Sequence, residues 1–413
     1  MWSVTMHRVV LGAMLLVLSA FSASALATRY VYTANNFTEG NGIHGYRVSN
    51  SGALQELPGS PFATGGFGDG ASPFSQNGIV VSANQRLLFV VNQGSDDISV
   101  FHILRNGRLI PVHGSPFATG GEFPVSLAIS GNVLYASRLG PATGPVDGVC
   151  EGCELRGFRI RGNGSLRPIG GSSISLETAP SGFPLAVQFN PAGDVLFGSR
   201  FVFSEAYGPD VPELFSYQLN RRSGLLTESP GSPFTLRAGS NQPIGFAFSP
   251  VHPSQLFVAN SVSDTPELQG TMSTYLMAAS GQIAELDFSP VAANNEAGEA
   301  IATCWADFTS NGKNLYATNT TTDNVSRFTV DNAGKVQLEE IINVPPFDAV
   351  NDSPVDMLVT DDDQFLFVLQ TLVGSVAGWR IQDDGTLVEL PNQPVRLPEG
   401  SQPYGLVYVN RGF

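Results

Sequence analysis

Apolar runs rich in aromatic residues recur along the chain, and each run ends at a polar residue. Leu88 to Val91 and Leu315 to Thr318 are typical. Seven such runs occur, and their polar ends are Asn35, Asn92, Arg138, Arg200, Asn260, Asn319 and Gln370. Short runs of β-branched and aromatic residues bounded by turn residues predict buried strands.

Turn signals alternate with these runs in a fixed order. A Gly-x-aliphatic turn occurs seven times, ending at Leu54, Leu109, Leu166, Leu226, Ile283, Val336 and Leu387. The octapeptide Gly59 to Gly66 recurs unchanged at Gly114 to Gly121, and Gly231 to Phe234 is a shorter copy. The units repeat about every 48 to 60 residues, which is typical of propeller blades of four strands, A to D.

The two ends of the chain complete the count. The first unit, from Arg29, has strands B, C and D but lacks strand A, and Pro403 to Tyr408 resembles a strand A with nothing after it. Pairing these segments would close the ring and remove exposed sheet edges. The sequence predicts an all-β, seven-bladed β-propeller at 28–413, one domain whose C-terminal strand joins the N-terminal blade. Its 45 Gly and 28 Pro agree with many short strands and tight turns.

The first 27 residues are predicted to be a secretory signal peptide. His7 and Arg8 precede an apolar stretch from Val9 to Phe21, and Ala25 to Ala27 fits a cleavage site. The alternative is an anchoring helix, but the apolar stretch is short for a span of about 20 residues. We therefore expect a secreted or periplasmic protein.

The charge balance limits the partners. The formal net charge is −15, with 21 Lys and Arg spread thinly against 36 acids. Binding to phosphate backbones needs clustered cations, so we expect neither nucleic acid nor a membrane surface as partner. The expected partner is a small anionic molecule, or a protein or glycan, and we expect a monomer.

The three cysteines suggest one local disulfide. In an oxidising compartment Cys150 and Cys153 are expected to pair, leaving Cys304 as a free thiol. A zinc site would need further Cys or His at ligand spacing, which the sequence lacks. A redox role for the Cys150–Cys153 pair is an alternative, but such motifs normally open a helix in another fold.

Strand A begins and strand B ends on the same face of the predicted disc. Arg138 and Arg200 stand there in neighbouring blades, each before a long loop, Leu139 to Glu154 and Phe201 to Glu213. A third long loop runs from Ser261 to Gly270. Two guanidiniums at one mouth would suit a carboxylate or phosphate. Alternatively, each Arg pairs with an acid of its own loop, such as Asp147, Glu151, Glu205 or Asp210.

The amides that end strand B have two interpretations. Asn92 and Asn260 are candidate substrate contacts at this mouth. The alternative is structural, since Asn at a strand end tolerates a left-handed conformation and bonds nearby backbone.

Strand A contains a second set of candidates. Two residues after its start, most blades carry a small residue, namely Gly78, Ser126, Ala186, Gly245 and Gly405. Trp305 and Asp356 break this rule, and Asp307 lies two residues after Trp305. An acid near an apolar axis needs a partner or a purpose. Asp356 and Asp307 are therefore candidate catalytic acid–base groups, and the alternative is that they bond backbone amides of the next blade.

Other catalytic signatures are absent from the sequence. It has no Gly-x-Ser-x-Gly elbow, no phosphate-binding loop and no His-Glu-x-x-His helix. The four histidines of the predicted mature chain, His44, His102, His113 and His252, occupy different blade positions. We therefore expect no metal and no cofactor.

The repeat resembles the lactonase-like seven-bladed propellers, including YVTN-type surface repeats. The resemblance rests on Tyr30 to Asn35, Leu256 to Asn260, the Gly-x-Leu turns and the Gly-Ser-Pro-Phe segments. The family includes 6-phosphogluconolactonase and the fungal carboxymuconate-lactonising enzyme, and also binding proteins. Resemblance implies a small anionic substrate on the axial face, with Arg and His near the start of strand A. The matching positions here, such as Pro124 to Ser126 and Pro354 to Asp356, hold neither.

Two functions follow. The first function is one that the family resemblance allows. The protein would be an exported enzyme that opens or closes a lactone ring on a small carboxylated substrate. Arg138 and Arg200 would hold the anion, Trp305 would line the site, and Asp356 or Asp307 would move the proton. The second is a non-catalytic surface propeller that recognises a protein or glycan through the long loops of blades three to five.

Overall fold

The computed structural model describes residues 28–71, 75–140, 150–176, 183–201, 212–237, 240–262, 270–293, 302–345 and 353–411. These residues form seven antiparallel sheets, six with five strands and one with four. Four strands of each sheet lie side by side in the order A, B, C, D. The strands A of successive sheets contact one another, so the predicted seven-bladed β-propeller is confirmed.

Strands A and B form the inner half of each blade. Strand A of blades 1 to 7 spans Tyr404–Arg411, Ile79–Val81, Pro124–Ser130, Phe183–Phe189, Asn241–Phe248, Thr303–Phe308 and Pro354–Val359. Strand B spans Thr28–Ala34, Leu87–Asn92, Val133–Arg138, Val195–Phe201, Gln255–Val262, Asn314–Asn319 and Phe365–Gln370.

Strands C and D form the outer half. Strand C spans Gly42–Val48, Asp97–Ile103, Glu154–Ile160, Pro212–Leu219, Thr271–Met277, Asn324–Val330 and Ser375–Ile381. Strand D spans Leu54–Glu56, Leu109–Pro111, Leu166–Pro168, Leu226–Glu228, Ile283–Glu285, Val336–Asn343 and Leu387–Glu389. Two-residue strands add to strand C at Phe62–Ala63, Phe117–Ala118, Ile174–Ser175, Phe234–Thr235, Val291–Ala292 and Val395–Arg396. The described ranges hold one short 3₁₀ helix, Gln93–Ser95, and no helix able to cross a bilayer.

Blade 1 is assembled from both ends of the chain. Strand A, Tyr404–Arg411, pairs antiparallel with strand B, Thr28–Ala34, with Val31 opposite Tyr408. The predicted ring closure is therefore confirmed. Every blade finds a neighbour on both sides, so no sheet face is left without a partner.

The Gly-x-aliphatic repeat forms the turn between strands C and D. Its glycines Gly52, Gly107, Gly164, Gly224, Gly281, Gly334 and Gly385 have φ between 79° and 90°. Glycine adopts this region without steric cost. The turn also joins blades, because Tyr32, Tyr135 and Tyr316 on strand B donate hydroxyl hydrogen bonds to Gly107, Gly224 and Gly385 of the next blade.

The Gly-Ser-Pro-Phe repeat forms the turn after strand D. The hydroxyls of Ser60, Ser115 and Ser232 accept the backbone N–H of Gly45, Val100 and Ser216 on strand C, at 3.1, 2.9 and 3.1 Å. The repeated serine therefore satisfies a strand C amide in three blades.

Crowding explains the small residues near the start of strand A. A Cβ on Gly78 would lie 2.6 Å from the Tyr404 ring, and one on Gly245 would lie 2.4 Å from the Cys304 carbonyl oxygen. Real Cβ atoms do not approach other atoms so closely. The Arg and His that the family resemblance implied would have no room at these two positions.

Strand A of blade 2 is short and begins only at Ile79. Two residues shortly before this strand, Gln76 and Asn77, form hydrogen bonds across the axis. Gln76 reaches to blade 5, where its side chain bonds the backbone N–H and C=O of Phe246 at 2.9 and 3.1 Å. Asn77 donates to the Val187 carbonyl of blade 4 at 3.0 Å. These two side chains, the axial bridge, span the ring.

Candidate functional site

A cavity of about 320 Å³ lies on the ring axis. Its walls come from strand A of every blade except blade 3, together with the axial bridge. The wall residues come mainly from the middle and end of strand A, for example Phe248, Val359 and Tyr408. The cavity therefore lies toward the A–B turns, whereas the sequence placed the site where strand A begins.

Asp307 of blade 6 lines this cavity and is partly buried. Its Oδ2 accepts the backbone N–H of Val359 in blade 7 at 2.8 Å, and its Oδ1 accepts that of Phe308 at 2.8 Å. Both bonds favour the carboxylate, but desolvation outweighs them and raises its pKa to about 6.

Asp356 of blade 7 lines the same cavity and repeats this arrangement one blade further on. Its Oδ2 accepts the Leu406 N–H of blade 1 at 2.8 Å, and its Oδ1 accepts the Met357 N–H at 2.8 Å. Burial raises its pKa to about 7, with a smaller contribution from the negative charge of Asp307. The structure thus brings the two predicted acids together.

Both interpretations of these acids have geometric support. Each carboxylate joins two blades, which is the structural interpretation. Each carboxylate oxygen has two lone pairs and accepts one of these hydrogen bonds, so acceptor capacity remains. A partly desolvated acid pair whose pKa values lie near neutrality, beside a cavity, is also what acid–base catalysis requires.

Gln188 supplies a third polar group. It lines the cavity from strand A of blade 4. No hydrogen bond of its side chain is present among the described residues, whereas Gln76 and Asn77 are held by backbone groups across the axis. Its amide N–H groups can therefore turn toward a ligand oxygen.

Arg138 does not line the cavity. It lies opposite Pro124, at the end of the blade where strand A begins. Its side chain is only 5% exposed and forms an ion pair with Glu154, the first residue of strand C. Burial lowers its pKa, and the nearby Arg156 lowers it further. The pairing resembles the structural alternative, although Glu154 is not among the acids singled out for it.

Arg200 is also packed inside its blade. Its guanidinium carbon lies 5.5 Å from the centre of the Phe215 ring. Burial lowers its pKa, while Tyr217 and Glu228 act in the opposite direction. The structure therefore does not bring the two arginines to the acid pair, and the anion-binding role stays a prediction.

Trp305 is buried in a cluster with Ile244, Cys304 and Val355. Its backbone N–H donates to the Thr318 hydroxyl at 3.2 Å, and the side chain is absent from the cavity wall. Its indole N–H has no partner among the described residues.

The strand B amides tie strand B to strand C. Asn92 donates to Asp97 and to the Ser99 hydroxyl at 2.5 and 2.8 Å. Asn260 donates to the hydroxyls of Thr271 and Ser273 at 3.0 and 2.8 Å. The structural role expected for these amides was a left-handed conformation with bonds to nearby backbone. Instead, Asn92 is extended (φ −118°), and both side-chain amides bond side chains. Both Asn92 and Asn260 are fully buried.

The cysteines pair as the sequence suggested. A disulfide joins Cys150 and Cys153, and both are buried. Cys304 is a free, buried thiol whose Sγ lies 2.9 Å from the Ala302 carbonyl oxygen, and burial raises its pKa to about 12.

Two further predictions concern metals and loops. Within the described ranges, no group of three or more His, Cys, Asp or Glu is placed to hold a metal ion. The long loops lie largely outside the described residues, because 141–149, 202–211 and 263–269 are not among them. The loop-based binding hypothesis therefore stays a prediction.

Sequence reasoning missed Gln188 and the axial bridge. Gln188 stands four residues after Pro184, in the register that Asp307 occupies in blade 6. Comparing that register across blades would have found it, since most of the other blades carry an apolar residue there. The bridge had a weaker signal: Gln76 replaces the proline found at most strand A starts.

Comparison with known proteins identifies similar folds but no match by sequence. No protein-family profile matches the chain, and no curated protein matches it by sequence. Solved structures match over almost the whole chain. A candidate 6-phosphogluconolactonase from Bacteroides fragilis has 18% identity and a TM-score of 0.69, covering 94% of this chain and 99% of its own.

Two more solved structures match the chain to a similar extent. A candidate 6-phosphogluconolactonase from Bacteroides uniformis has 16% identity and a TM-score of 0.71, covering 93% of this chain and 99% of its own. The periplasmic gluconolactonase PpgL of Pseudomonas aeruginosa has 18% identity and a TM-score of 0.68, with coverage of 93% and 99%. The chain thus has the fold of the lactonase-like seven-bladed propellers. At this identity the likeness concerns the fold, and the reaction must be argued from the site.

Proposed function

We propose that this chain is an exported lactone hydrolase that opens the ring of a small, neutral, hydroxylated lactone in the axial cavity. The observation that carries the proposal is the pairing of Asp307 and Asp356 in one cavity, with pKa values raised to about 6 and about 7. The cavity volume lies within the range of small-molecule sites. Export rests on the predicted signal peptide, and the periplasmic gluconolactonase among the similar structures is consistent with it.

The two acids take different roles because their pKa values differ. We assign the base to Asp307, whose pKa is raised to about 6, and the acid to Asp356, whose pKa is raised to about 7, and the two titrate as a coupled pair. The Asp307 carboxylate removes a proton from a water molecule. The oxygen of that water attacks the carbonyl carbon of the lactone. The ring C–O bond then breaks, Asp356 gives its proton to the leaving alkoxide, and the product is an open hydroxy acid. A proton exchange with solvent restores both acids.

Gln188 would stabilise the tetrahedral intermediate. Its amide lines the cavity and is free to donate to the oxyanion. One neutral donor of this kind is worth about 10²-fold or more in rate when it is correctly aimed.

The charge of the cavity favours a neutral substrate. Among the residues that the structure describes, its wall contains two acids and no Arg, Lys or His. An ionised Asp307 would repel a carboxylate brought into this cavity. The carboxylated substrate expected from the sequence depended on Arg138 and Arg200, and both are packed into their own blades.

Lactone opening can be measured by alkali uptake at constant pH. At about pH 6.5, protein expressed from the full chain should hydrolyse D-glucono-δ-lactone faster than buffer does, and faster than it hydrolyses a carboxylated lactone. Asp307→Asn and Asp356→Asn should each lose about 10²- to 10⁴-fold in kcat/KM, because each removes a proton-transfer group. The shape of the profile against pH should follow the two acids as a pair.

Ser126→Ala is the matched control. Ser126 occupies the register of Asp356 in blade 3, and its hydroxyl accepts the Val187 N–H of blade 4 at 3.0 Å, outside the cavity wall. Its loss removes the same kind of inter-blade bond and should leave kcat/KM unchanged. Full activity in both Asn variants, or no lactone opened faster than in buffer, would overturn the proposal.

A further inference from the structure

A second cavity lies between blades 1 and 2, at their outer edge. It measures about 550 Å³ and is lined by strands B, C and D of blade 1 and by the C–D turn of blade 2. It lies apart from the axis and shares no residue with the axial wall. We call it the blade 1–2 cleft.

Two arginines give the cleft a positive charge. Arg47 and Arg105 line it and are exposed, and neither forms an ion pair in the described part of the chain. Their neighbour Arg411 has its pKa lowered by burial and further by Arg86 and Arg105, which shows how closely the cations gather. This concentration is unusual in a chain of net charge −15.

Glu56 is the acid of the cleft wall, and part of it is already engaged. Its Oε1 lies 3.0 Å from His44 Nδ1 and accepts the Ser60 hydroxyl at 2.9 Å. Its side chain is 49% exposed, so Oε2 remains available to a ligand.

The rest of the wall is suited to hydroxyl groups. Gln55 and Asn106 contribute amides, which can donate and accept, and Leu57 and Pro58 contribute apolar surface. Paired guanidiniums bind a carboxylate with geometric specificity.

We propose that the blade 1–2 cleft binds a sugar acid, a small molecule that combines one carboxylate with several hydroxyls. Arg47 and Arg105 hold the carboxylate. The amides of Gln55 and Asn106 and the free Oε2 of Glu56 hold the hydroxyls. Glu56 also disfavours a doubly charged phosphate, because its own charge stands in the wall. The proposal does not depend on the reaction at the axis.

Calorimetric titration with D-glucuronate, D-glucose and inorganic phosphate tests it. Glucuronate should bind the wild-type protein at least tenfold more tightly than either of the others. Arg47→Ala/Arg105→Ala should weaken glucuronate binding at least tenfold, since hydrogen bonds to charged groups are lost. Both arginines are exposed, so the thermal unfolding temperature should not fall.

Two control proteins make the outcome specific. Arg161→Ala/Arg222→Ala removes two exposed arginines from the C–D turns of blades 3 and 4 and should bind glucuronate as the wild type does. Asp307→Asn/Asp356→Asn should also bind it normally, which separates this site from the axial cavity. Absent glucuronate binding, equal binding of glucose, or full binding by Arg47→Ala/Arg105→Ala would overturn the proposal.

Discussion

Two of the regions of this propeller that hold buried or partly buried charges differ in their surroundings. Asp307 and Asp356 stand on the axis, each joined to backbone amides of the next blade and each facing a cavity. Arg138 and Arg200 stand where strand B ends in blades 3 and 4, one against Glu154 and the other over Phe215. The acids keep room for a ligand, whereas the arginines are buried against neighbouring protein groups.

The difference shows that burial of a charge does not by itself mark a functional site. A buried Arg whose charge is balanced by a neighbour contributes to folding, and removing the neighbour leaves an uncompensated charge. A partly desolvated acid beside an open volume can still exchange a proton with a bound molecule. The three predictions below test this contrast, beginning with the largest effect.

Arg138→Met should destabilise the protein by about 3 kcal/mol, because it leaves the partly buried Glu154 carboxylate without its cation. Urea unfolding measures the loss. Lactone hydrolysis by the folded fraction should be unchanged, since Arg138 does not line the axial cavity.

The matched variant for that test is Arg138→Met/Glu154→Leu, which removes both charges. It should recover most of the lost stability, because no charge then remains buried alone. If Arg138→Met instead raised KM for the lactone with little loss of stability, Arg138 would belong to the site and the contrast would fail.

The acid pair should make stability fall as pH rises. The pKa of Asp356 is raised from 3.8 to about 7 and that of Asp307 from 3.8 to about 6, so the folded chain binds these protons more tightly than the unfolded chain. Their protonated forms stabilise the fold fully below about pH 4, and this contribution is lost as pH rises to about 7. Between about pH 5 and 8 the loss should be about 2–4 kcal/mol.

This pH effect is measured as the difference in unfolding free energy between a variant and the wild-type protein. The unfolding free energy of Asp307→Asn/Asp356→Asn, minus that of the wild type, should rise over this pH range. Ser126→Ala removes an inter-blade hydrogen bond but no titratable group, so it should give a flat difference. A flat difference for the axial pair as well would contradict the raised pKa values.

Asn92→Ala should cost about 1–2 kcal/mol, because it removes the hydrogen bonds to Asp97 and Ser99 and leaves buried groups unsatisfied. Urea unfolding again measures the change. KM for the lactone should stay constant, since Asn92 is fully buried and outside the axial wall. A raised KM would return Asn92 to the set of substrate contacts.

The repeat made the fold predictable. Each turn signal has a local physical cause: Gly107 and its equivalents need a positive φ in all seven blades, and Ser60, Ser115 and Ser232 satisfy an amide of strand C in three blades. The unmatched ends of the chain even indicated how the ring closes. Blade number, strand order and closure could therefore be taken from the sequence.

The site was only partly predictable. Asp307 and Asp356 stood out because acids interrupt an apolar strand near the axis, and the structure places them together. Arg138 and Arg200 stood out by position, but the direction of a side chain at a strand end depends on what packs around it. The cations also looked thinly spread along the chain, yet folding gathers Arg47, Arg86, Arg105 and Arg411 from distant positions.

The sequence by itself determined the seven blades, their strand order and the closure of the ring, because local turn geometry and side-chain alternation repeat every blade. Only the tertiary structure decided where space remains and which charges border it. Gln76 crosses the axis because Phe246, 170 residues away, offers its backbone there. Such contacts join residues that are far apart in the sequence, so no local sequence pattern predicts them. The cavities and the charges around them are therefore decided only when the ring closes.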